Sequence, residues 1–63
     1  MSGAAEVVDW LEKNEHVLCD VDANAASRQM NVAFWGWPTE TVIEGLAIYL
    51  VRRLAEEADR RGQ

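Results

Sequence analysis

The 63-residue sequence holds a single cysteine, a single histidine, a single proline and a single lysine. With Cys19 alone, no disulfide can tie the chain to itself, and Cys19 with His16 cannot furnish the four donors of a structural zinc site. An unpaired thiol points to a reducing compartment. The four glycines form no run, which excludes the phosphate-cradling loop and the dinucleotide fingerprint. The longest apolar run, GLAIYLV at 45–51, is far short of the ~20 residues a membrane span needs. The opening MSGAAEVVDW lacks a basic segment and reaches Glu6 and Asp9 early, so it does not read as a signal peptide. The expected location is cytoplasmic, in a bacterium or in a host cell if a phage carries the gene. Five arginines against one lysine fit such a GC-rich source.

Positive charge is also scarce. The net charge is −5, with eight acids against Lys13 and Arg28 in residues 1–44. This balance repels a phosphate backbone and disfavours direct nucleic-acid binding, while it suits a protein partner with a basic surface. Length is short too. A chain of this size buries only about 60% of its unfolded surface. Its core is expected to supply about 3–5 kcal/mol unless another chain adds to it.

Hydrophobic residues are plentiful at 49%, and two of the three tryptophans fall in FWGWP at 34–38. The patterning predicts one α+β domain over residues 1–63, in the order helix, strand, strand, helix. AAEVVDWLEKN at 4–14 has a helical stripe of Ala4, Val7, Val8 and Leu11, with Trp10 at its margin and Ser2 as N-cap. HVLCDVD at 16–22 alternates, with Val17, Cys19 and Val21 on one face, and reads as a strand. A second alternation at 28–36 puts Met30, Val32 and Phe34 inside and Trp35 outside, and the two runs suggest an antiparallel hairpin. Pro38 stops that strand and opens a helix over 39–60, supported by a Thr41–Glu44 capping box. Its main stripe is Ile43, Leu46, Ala47, Leu50, Val51, Leu54 and Ala58, with Glu56–Arg60 and Glu57–Arg61 pairs behind. Both helices would pack on one face of the hairpin. Two strands offer them little cover, so a twofold homodimer is expected, through the second helix or through the hairpin edge.

Candidate chemistry is sparse. Asp20, Asp22 and Asn24 begin like a calcium loop, but Ala25 stands where its glycine belongs and Asn31 where its bidentate glutamate belongs. On a strand, His16 and Cys19 point to opposite faces, which separates a thiolate from its base. Glu40 and Glu44 share a helix face, yet the helix dipole explains acids there. No catalytic, metal or cofactor residue is assigned, and the chain reads as non-enzymatic.

What remains is an apolar surplus. Trp37 is expected to pack near Ile43, and AIYLV at 47–51 is apolar all round the helix. Such a surplus marks an interface, here Trp35, Trp37, Ile48 and Tyr49. The first expectation is therefore a small adaptor that binds a protein. An alternative is a phage- or mobile-element inhibitor of a nucleic-acid-handling enzyme, anti-CRISPR-like, whose Glu6, Asp9, Glu12, Glu15, Asp20, Asp22, Glu40 and Glu44 mimic phosphates. A third is a small-molecule sensor with an aromatic pocket at a dimer seam.

Overall fold

The computed structural model describes residues 3–62 and is built from three helices: α1 (Ala4–Leu18), α2 (Ala23–Ala33) and α3 (Thr39–Arg61). No strand occurs among the described residues, so the α+β fold with a hairpin at 16–22 and 28–36 is overturned. The fold is all-α.

The first strand fails because α1 does not stop at Asn14. Val7, Leu11 and Leu18 lie four and seven residues apart, which keeps them on one helical face and in one cluster. Gly3 occupies the N-cap position of α1, and Ser2 lies outside the described residues. On the outer face Lys13 Nζ pairs with Asp9 Oδ2 at 2.9 Å. Cys19 is no core residue. It caps the C-terminus of α1, exposed, with its thiol donating to the His16 carbonyl at 3.5 Å.

The second strand fails for two reasons. Asp22 is an N-cap, its Oδ1 accepting the Ala25 N–H at 2.8 Å, and Ala23, Ala25 and Ala26 behind it are strong helix formers. Of the supposed inward face, Met30 packs on the core and Phe34 is buried, whereas Val32 is 79% exposed. Residues 30 and 34 are neighbours on a helix as well as on a strand, and residue 32 decides between the two.

FWGWP is the turn that reverses the chain into α3. The Trp37 N–H donates to the Phe34 carbonyl at 3.0 Å, and Gly36 sits between them at φ +82°. That places glycine at the third position of a type II turn, where a side chain is disfavoured. The turn aims Phe34 and Trp37 inward and leaves Trp35 78% exposed. Phe34 is then the hub of three edge-to-face rings, 5.1 Å from Trp10 and 5.1 Å from Trp37 between centroids. Trp37 and Val42, flanking the N-cap Pro38 at the staple positions, both pack on this cluster, while Ile43 is 59% exposed. The Thr41–Glu44 capping box is not used, since Pro38 caps α3 without a side-chain bond.

α1 and α3 run in the same direction and form the main packed pair, with α2 running back the other way. Ala4 and Val7 lie against Gly45, and Glu15 Oε1 meets Arg53 Nε at 3.0 Å. α1 is about 22 Å long and α3 about 34 Å at the standard helical rise. With Val7 level with Gly45 and Glu15 with Arg53, α1 ends near Glu56, so α3 extends past α1 at both ends and by little more than about one turn at its C-terminus. Every residue from Leu50 to Gly62 is exposed. Among the described residues, the buried apolar ones are Val7, Val8, Leu11 and Phe34. The stripe expected to form the core of α3 is corrected in part: Leu46 packs inward, but Ile43, Leu50, Val51 and Leu54 face solvent.

Candidate functional site

Because α2 stands off from the N-terminal half of α3, an open groove of about 940 Å³ runs between them. Ala23 and Ala26 on α2 are small and leave it deep. Met30 and Phe34 line it beside the aromatic cluster, and Val42 and Leu46 form the α3 wall. The turn contributes Trp35, Gly36 and Trp37. Its polar lining is neutral: Ser27, Asn31 and Thr39. Such a surface can accept an apolar side chain or helix face and offer hydrogen bonds along its rim.

The turn thus brings Trp35 and Trp37 to one groove in different roles, Trp35 as an exposed lip and Trp37 as half-buried wall. Ile48 and Tyr49 are not part of it. Both are half-buried, and Tyr49 packs on the core beside Glu15 and Arg53. Burial pushes the Tyr49 hydroxyl up, the Glu15 carboxylate adds to this by accepting a hydrogen bond from it, and Arg53 opposes. Of the groove residues, Ala26 and Val42 were not singled out by the sequence, while Met30 was read as an inward-facing strand residue and Leu46 as part of the helix stripe. The signal available was the helical spacing of Ala26, Met30 and Ala33, hidden by the competing alternation at Met30, Val32 and Phe34.

Comparison with known protein families, characterised proteins and solved structures gives no match. The functional reading therefore rests on this chain's own geometry.

The acids are dispersed. Asp9 is paired with Lys13, Glu15 with Arg53, and Asp22 with the start of α2. Glu6, Asp9 and Glu12 lie exposed along α1, and Glu40 and Glu44 in the first two turns of α3. Asp20 is exposed in the connection before α2. The Asp22 carboxylate that resembled a calcium ligand is turned to its own backbone. Among the described residues no three His, Cys, Asp or Glu side chains converge as a metal site. His16 and Cys19 lie near each other at the end of α1 rather than on opposite faces, and the thiol hydrogen is directed at a carbonyl. No helix among the described residues is long and apolar enough to cross a membrane.

Proposed function

We propose that this protein is a non-enzymatic binding module whose contact surface is the α2–α3 groove, with Trp35 as its anchor. The observation that carries the reading is a 78% exposed tryptophan on a constrained turn at the lip of an apolar groove of about 940 Å³. An indole fixed by its backbone loses little freedom on binding, and tryptophan is a frequent hot-spot residue. The partner is a protein segment with an apolar face, an amphipathic helix by the groove's shape, flanked by basic residues that suit the net charge of −5. The same charge disfavours nucleic acid as the partner.

The test is titration with basic amphipathic helical peptides, read by isothermal titration calorimetry. Trp35→Ala should weaken binding at least tenfold, while Val32→Ala, an equally exposed site off the groove, should not. Equal binding by the two variants removes the proposal. The phosphate-mimic inhibitor has less support, because Asp9, Glu15 and Asp22 already serve the fold. A sensor of small apolar molecules is a second reading, since the groove's volume lies within the range of ligand pockets. It predicts a fluorescence response to small ligands without peptide binding.

A further inference from the structure

We infer that the exposed stripe of α3 is the seam of an antiparallel, twofold contact with a second copy of this chain. The stripe is separate from the peptide groove, and the inference does not depend on that reading.

Ile43, Ala47, Leu50, Leu54 and Ala58 recur at spacings of four, three, four and four, with Val51 beside Leu50. This is the rhythm of a helix that packs along its length against another helix. Among the described residues its large side chains stay more than half exposed. Ile43 is 59% exposed, Leu50 55%, Val51 65% and Leu54 66%. The opposite arc carries Arg52, Glu56 and Asp59. α3 is thus amphipathic twice over, with one apolar face used by α1 and a neighbouring one left bare.

The stripe is complementary to its own reverse. In the register that centres the twofold axis between Leu50 and Val51, Ile43 faces Ala58 of the other copy, Ala47 faces Leu54, and Leu50 faces Val51. Large stands against small at the two outer layers, and two middle-sized side chains meet at the axis, as interdigitated helices require. Charge selects the same orientation. The first turns of α3 bear Glu40 and Glu44, and the last bears Arg60 and Arg61. Antiparallel pairing places Glu40 beside Arg61 of the other copy, whose internal contact to Glu57 is a long 3.7 Å. Parallel pairing would set Glu40 and Glu44 against their own copies, and Arg60 and Arg61 likewise, and would leave Ala47 facing Ala47 across a gap. An isologous contact closes after two copies, so it yields a dimer rather than a fibre.

Sedimentation of the full chain from 1 to 200 µM tests this. The inference expects a species of twice the 7.1 kDa chain mass at the upper end. Leu54→Glu should weaken dimerisation at least tenfold with helical content intact, because Leu54 is 66% exposed and glutamate favours helix. Trp35→Ala should leave the dimer unchanged, which separates this contact from the groove. Orientation is read by oxidative cross-linking in a Cys19→Ser background. Ile43→Cys mixed with Ala58→Cys should give a covalent dimer, whereas each alone gives none. A monomer at 200 µM, a dimer indifferent to Leu54→Glu, or cross-linking of either variant with itself overturns the inference.

Discussion

Gly45 on α3 and Val7 on α1 share one space: a Cβ at position 45 would collide with the Val7 side chain and crowd the Ala4 carbonyl. Both residues are buried, Val7 completely. The missing side chain lets the two helices meet, and their meeting creates most of the core. Gly45→Ala should destabilise the protein by about 1–3 kcal/mol, although alanine is the better helix former, because the crossing must open. Urea unfolding measures this; an unchanged midpoint would mean the helices do not cross there.

The two neighbours Phe34 and Trp35 should behave oppositely. Phe34→Ala removes the hub of the Trp10–Phe34–Trp37 cluster and should cost about 3–5 kcal/mol, enough to unfold so small a domain. Trp35→Ala should change stability by no more than about 0.5 kcal/mol. Thermal melts of the two variants distinguish core from contact surface.

Asp22→Ala removes the side-chain cap of α2 and should cost about 1 kcal/mol, with Asp22→Asn largely retaining it. Circular dichroism and melting give the answer. A loss specific to the alanine variant fits a helix start; a strand end would be indifferent to both.

The raised Tyr49 hydroxyl has a pH consequence. In the folded protein, burial and then Glu15 keep the proton on past the ordinary value near 10, so the unfolded chain releases it first. Its contribution to stability is intact below about pH 10 and fades as pH rises through the folded value. Lys13, held up by Asp9, bends stability the same way at slightly higher pH. Tyr49→Phe should flatten the part of the stability–pH curve that begins near pH 10, a comparison that equilibrium unfolding between pH 8 and 11 provides.

The sequence made α1 and α3 legible because their apolar stripes are long and periodic. It concealed α2, whose eleven residues mix alanine, a β-branched valine and polar residues, and whose alternation at Met30, Val32 and Phe34 satisfies two periods at once. Asp22 held the key, since a cap preceding an alanine-rich run is a helix start. Trp35 was expected outside on a strand alternation that the structure lacks; the turn at Gly36 exposes it instead, and the groove beneath it exists only once α2 is a helix. The position of Leu50 and Leu54 outside the protomer's core was equally hidden. A helical wheel shows that a stripe is apolar without showing whether the chain has anything left to cover it.

We propose that this fold closes with apolar surface left over, much of it on the bare stripe of α3 from Ile43 to Leu54, and that another molecule covers it. Amide hydrogen exchange of residues 51–61 as a function of protein concentration tests this most directly. These residues, all exposed, should fray at 1 µM and become protected at 200 µM, while Val7 and Leu11 on α1 exchange at nearly the same rate throughout. Protection of 51–61 that is already complete at 1 µM and indifferent to concentration would contradict the account.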